Sequence, residues 1–151
     1  MFKRFFAFLL SLICVFLLFS CGKSISASDF MTDFATVYPL EGTMYFSEAQ
    51  NKDEGYISEE LFRKIYRIDG EIPAEFAIYL NSKPSQGAEC GIFKLREGAD
   101  IEPITEMCLE RIRLVADREA EGIVLRSGRY VFYSTLEDSE RAKELFYRLI
   151  K

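Results

Sequence analysis

The 151 residues make room for one domain, with 49% hydrophobic and 28% charged side chains, the balance of an ordinary globular protein. No histidine occurs, which excludes histidine-based triads, histidine zinc ligands and histidine pH switching. Beyond residue 20, 17 basic side chains face 24 acidic ones, a formal charge of −7 without a basic stripe, and this argues against nucleic acid as a partner.

The chain opens on a short basic start, Lys3-Arg4, followed by fifteen residues without a charge, Phe5 to Phe19 (FFAFLLSLICVFLLF). Fifteen residues rise about 22 Å as a helix, short of a hydrocarbon core of about 30 Å. A basic start, an apolar stretch of this length and a small residue behind it make a secretory signal over residues 1–20. Leu18-Phe19-Ser20-Cys21-Gly22 resembles the lipobox of bacterial lipoproteins, with Phe19 bulkier than the usual residue at its place. The motif implies that the Cys21 thiol receives a diacylglycerol and that cleavage falls just before it. Two acyl chains suffice for stable anchoring where one does not. The expectation is therefore a partnership with the membrane through lipid on Cys21, with the domain on the extracytoplasmic face of a bacterial cell membrane. Residues 21–28 then read as a lipidated cysteine and a small, polar, flexible tether, and residues 29–151 as a single domain.

In that domain Asp29 to Val37 places Phe30, Phe34 and Val37 at helical spacing, and Pro39 stops it. Thr43 to Phe46 is a short strand, and Gln50 to Gly55 a polar turn. Ser58 caps a helix with Glu59 and Glu60 in its first turn and Leu61, Phe62, Ile65 and Tyr66 as its stripe; Asp69-Gly70 ends it. Glu75 to Leu80 alternates as a strand. Lys83 to Gly87 is turn chemistry, and Cys90 to Leu95 returns as the second arm of a hairpin. Ile101 to Ala116 is the longest helix, with Ile104, Cys108 and Ile112 on its apolar face. Glu121 to Ser134 holds two strands around a turn at Ser127-Gly128. Asp138 caps a last helix with Ala142, Leu145, Phe146 and Leu149 as its stripe. Hairpins separated by helices predict an α+β fold: an antiparallel sheet of four to five strands, with helices packed mainly on one face as a two-layer sandwich.

Chemistry is sparse. Cys90 and Cys108 remain once Cys14 leaves with the signal and Cys21 takes lipid; they are either bridged, as oxidising surroundings permit, or buried as small hydrophobes, the reading preferred here. Without histidine, neither is an activated nucleophile. The carboxylates Asp53, Glu54, Glu59, Glu60, Asp117, Glu119 and Glu121 lack the ligand alternation of a calcium loop and read as solvated surface. No metal, no cofactor and no catalytic residue is assigned. The many tyrosines read as sheet faces, and an exposed aromatic face would mark a partner surface.

The pattern from Ala77-Ile78-Tyr79-Leu80, through Glu89-Cys90-Gly91-Ile92-Phe93-Lys94-Leu95 and a long helix carrying Arg111, to Gly128-Arg129-Tyr130-Val131-Phe132-Tyr133 resembles a family of small bacterial lipoproteins, domain-of-unknown-function family 4358. The similarity spans roughly residues 60 to 136. The strand at Thr43 to Phe46 and the short link before the last hairpin depart from it. The resemblance implies the same address and fold class and brings no activity, cofactor or catalytic residue. The function expected is a non-enzymatic binding or interaction domain with an envelope protein as its partner. The alternatives are an envelope hydrolase working through carboxylates and a small-ligand or ion-binding module.

Overall fold

Three of the four described helices start on a side-chain cap. Ser26 accepts from the Asp29 amide, Ser58 from the Leu61 amide and Asp138 from the Arg141 amide. These side chains satisfy amides that a helix start leaves without partners. The computed structural model describes residues 24–81, 88–115 and 122–151. The signal, Cys14, Cys21, the turn at Lys83 to Gly87 and the acidic residues Asp117, Glu119 and Glu121 lie outside the described residues.

The elements run α1 (Ala27–Val37), β1 (Gly42–Phe46), α2 (Glu59–Tyr66), β2 (Glu75–Asn81), β3 (Glu89–Lys94), α3 (Glu102–Val115), β4 (Ile123–Ser127), β5 (Tyr130–Ser134) and α4 (Ser139–Leu149). The strands form one antiparallel sheet in the order β1-β2-β3-β5-β4. The expected α+β class, both hairpins and the five strands are present. The second hairpin turns one residue later than its sequence suggested. Ser127 pairs with Tyr130, so Gly128 and Arg129 form the loop. Gly128 takes φ 56° at the first loop position, which a two-residue turn of this kind demands and a side chain resists.

Strand side chains alternate between two cores. Ala77, Tyr79, Cys90, Ile92, Tyr130 and Phe132 pack with α1 and α4, through Phe30, Phe34 and Phe146 among others. Phe76, Ile78, Phe93, Val131 and Tyr133 pack with α2 and α3, through Phe62, Tyr66, Ile104 and Cys108. Helices therefore cover both faces, and the two-layer arrangement with helices mainly on one face is corrected to three layers, helix, sheet, helix. The physical reason stands in the strands themselves: both phases of the alternation are apolar, as a sheet buried on two sides requires. The exposed aromatic sheet face does not form either, since Val131 and Tyr133 are fully buried.

Two boundaries differ from expectation. Helix α2 ends at Tyr66 rather than at Asp69-Gly70, because Arg67 adopts a left-handed conformation (φ 51°) and its amide bonds the Arg63 carbonyl. The Arg63 guanidinium then donates to the carbonyls of Ile68 (3.3 Å) and Gly70 (2.8 Å). The left-handed cap thus sits on a non-glycine residue, which no sequence signal marks. The second difference is at the amino-terminal side. Ser24 to Ser28, expected as the end of the flexible tether, belong to the fold: Ala27 opens α1 and is buried, and Ile25 packs against the α1–α4 core.

Candidate functional site

Among the described residues the buried charged side chains are Glu89 and Lys94, at the two ends of β3. Glu89 stands at the first position of that strand with only 6% of its surface exposed. Its carboxylate accepts two hydrogen bonds from the Arg111 guanidinium, Nε to Oε1 and Nη2 to Oε2, both 2.6 Å. Such a bidentate pair is the strongest side-chain arrangement for holding a buried carboxylate. Arg111 comes from α3 and also donates to the Ile65 carbonyl at the end of α2 (3.3 Å). Its guanidinium lies 5.8 Å from the centre of the Tyr66 ring. The Tyr133 hydroxyl donates to Glu89 Oε1 (2.7 Å), and the Tyr66 hydroxyl lies 2.9 Å from that of Tyr133. With the Tyr133 proton directed at Glu89, Tyr66 is the donor in the second bond. A proton-ordered chain, Tyr66 to Tyr133 to Glu89, results.

Gly91 makes room for it. A Cβ there would lie 2.7 Å from the Tyr133 ring and 2.9 Å from Ile78, so the bare backbone lets the ring lie across β3 with its hydroxyl at Glu89. The backbone of Glu89 is bound as well: its amide donates to Thr135 Oγ1 (3.0 Å) and its carbonyl accepts from the Thr135 amide (2.9 Å). Burial pushes the Tyr66 hydroxyl well above its ordinary range, helped by the charge of Glu89. Burial, then Tyr66 and Glu89, do the same to Tyr133. Burial works against the charge on Arg111, but the hydrogen bonds and charge of Glu89 outweigh it and raise the group. Among the described residues no buried side-chain polar atom lacks a partner. The cluster joins α2, α3, β3 and β5, and it is closed on itself.

The opposite end of the sheet carries the entry of the chain. Glu75, Lys94 and Tyr130 stand side by side on β2, β3 and β5. Lys94 Nζ, nearly buried, binds Glu75 Oε1 at 2.6 Å and lies 6.0 Å from the Tyr130 ring centre. The other Glu75 oxygen accepts the Ala27 amide (3.1 Å) at the start of α1, where the helix favours a negative charge. The Tyr130 hydroxyl donates to the Ile25 carbonyl (2.8 Å) and lies 2.7 Å from Ser24 Oγ, which also accepts from Arg129 (2.8 Å). Beside it an open depression of about 600 Å³ is lined by Leu95 to Ala99, Ile101, Gly128 and Arg129. Arg96 on its rim is paired with Glu71.

Cys90 and Cys108 are free thiols, both buried. Cys90 belongs to the core under α1 and α4, Cys108 to the core under α2 and α3. The sheet lies between them, and the bridge left open by the sequence does not form. Burial raises both thiols far above the ordinary range. Of the candidate carboxylates, Asp53 accepts the Gln50 amide (2.8 Å) and serves its own turn. Glu59 and Glu60 pair along α2 with Arg63 and Lys64. The described residues hold no group of three metal-ligating side chains, and none of their helices is long and apolar enough to cross a membrane.

Sequence reasoning missed the Glu89 cluster as a unit. Its signal was present: Arg111 falls seven residues after Ile104 and three after Cys108, inside the apolar stripe of α3, where a charge needs a buried partner. Comparison with protein-family models, curated proteins and solved structures finds no match to the chain.

Proposed function

We propose that the chain is a bacterial lipoprotein, anchored by diacylglycerol on Cys21 at the extracytoplasmic face of the cell membrane, and that its domain acts by binding an envelope protein. The observation that carries the reading is the run Leu18-Phe19-Ser20-Cys21-Gly22 at the end of the uncharged apolar stretch Phe5 to Phe19. The closed Glu89 cluster supports binding over catalysis, because its proton donors and acceptors are spent on one another rather than aimed into a cleft. Metabolic labelling with a clickable palmitate analogue tests the anchor. The wild type takes the label and Cys21→Ala does not; equal labelling of both ends the reading. Cross-linking in intact cells, followed by purification of the labelled chain, then identifies the envelope protein bound.

A further inference from the structure

We propose that the chain-entry end of the domain, the β4–β5 turn at Gly128-Arg129 with the loop from Arg96 to Asp100, rests on the lipid headgroups, so that the bilayer surface is the partner of this end. The inference builds on lipidation at Cys21 and adds an orientation to it.

Ser24 is fixed to Arg129 and Tyr130, and Ala27 to Glu75, at one end of the sheet. Only Gly22 and Lys23 separate Ser24 from Cys21. Three residue steps span about 11 Å at most. A thioether joins the Cys21 sulfur to the glycerol that carries the acyl chains, so the end that carries Ser24 stays within that reach of the glycerol level, and this is the depth of the headgroups. A freely swinging tether of seven residues would allow any orientation; one of two residues, clamped at Ser24, does not. The loop after β3 lies at the same end, since the Leu95 amide donates to the Arg129 carbonyl (2.8 Å). The Glu89 cluster, Thr135 and the start of α4 stand at the far end. Strand β2, of seven residues, separates the two ends by about 20 Å.

Charge is not what holds this end down. Arg96 and Arg129 are accompanied by Glu71, Glu97 and Asp100, and Arg96 is already paired with Glu71. The contact is imposed by the shortness of the anchor, and it is therefore insensitive to the anionic lipid content of the membrane.

The chain has no tryptophan, which allows single-tryptophan depth measurements. Glu97 and Glu137 are exposed, one at each end. The lipidated chain beginning at Cys21, carrying Glu97→Trp or Glu137→Trp, is reconstituted in phosphatidylcholine vesicles containing a lipid spin-labelled near the headgroup. Fluorescence of the residue-97 probe is expected to be quenched several-fold more than that of the residue-137 probe. A twelve-residue Gly/Ser insertion between Lys23 and Ser24 is expected to bring the first down to the second while the chain stays on the vesicles. Equal quenching at both sites, or stronger quenching at 137, overturns the orientation. Quenching at 97 that the insertion leaves unchanged overturns the short anchor as its cause. Circular dichroism melts confirm that each variant is folded. If the chain washes off the vesicles and its mass shows no diacylglycerol, the lipoprotein reading fails instead, and the two failures are told apart.

Discussion

Arg111 sits where the cost of losing one side chain is largest. Glu89 keeps 7% of its side chain exposed and Arg111 18%, so neither charge is well served by water. Replacing both by apolar groups of similar shape is often tolerated, whereas removing one strands the other in the interior. Arg111→Met is therefore expected to destabilise the domain by about 3–5 kcal/mol in urea unfolding. Adding Glu89→Gln is expected to restore part of the loss, because the stranded charge is gone. A single-variant loss below about 1 kcal/mol, of the size found for exposed pairs, would show that water reaches the cluster. The two cysteines behave oppositely, as apolar side chains. They face different cores and burial disfavours their thiolates. Reductant is expected to leave the unfolding midpoint unchanged, and iodoacetamide to modify Cys90 and Cys108 only in denaturant. A mass two hydrogens lower without reductant would contradict this.

Among the elements, α4 shows how far periodicity carries. Asp138, Ala142, Leu145 and Phe146 do what their spacing predicts: the cap accepts the Arg141 amide and the three apolar residues are buried. Phe146 stacks with Phe132 at 5.6 Å and meets Phe30 edge-on at 6.1 Å, so its ring joins α4, β5 and α1. Phe146→Ala is expected to cost about 3–5 kcal/mol, read from denaturant unfolding, and a loss under about 1 kcal/mol would place the helix outside the core. Helix α2 marks the limit. Its cap at Ser58 and the burial of Phe62 and Tyr66 were legible, but Leu61, counted in the same stripe, is 46% exposed. One turn of helix leaves the stripe's edge to the neighbours against which it packs, and those are not local in sequence. The β4–β5 hairpin was legible for the opposite reason: its pairing is set by the two-residue turn between its strands, Gly128 included.

At the scale of the whole molecule, the missing layer and the missing cluster have one origin. Strands such as Phe76 to Leu80 and Tyr130 to Tyr133 are apolar on both phases, the mark of a sheet covered twice, while the helices alone do not tell which face each will take. Once α2 and α3 cover the second face, Tyr66, Arg111, Glu89 and Tyr133 are driven together, and their distances in sequence (44 residues between Glu89 and Tyr133) hide this. That closure makes stability depend on pH on the alkaline side. In the unfolded chain tyrosine loses its proton near pH 10. In the fold, burial above all and then the neighbouring Glu89 charge keep the protons on Tyr66 and Tyr133 to much higher pH. Above about pH 10 the unfolded chain thus binds fewer protons than the folded one, and stability falls as pH rises; below that value the contribution is fully present. Each tyrosine contributes a slope of about 1.4 kcal/mol per pH unit, and the two together about 3. Urea midpoints from about pH 9 to about pH 11.5 should hold steady and then drop steeply. Tyr66→Phe with Tyr133→Phe should flatten that drop, even though the variant starts less stable for want of the bond to Glu89. A wild-type curve that stays level through this range would mean that both hydroxyls ionise in the fold as they do in water, and that the second face of the sheet is open to solvent.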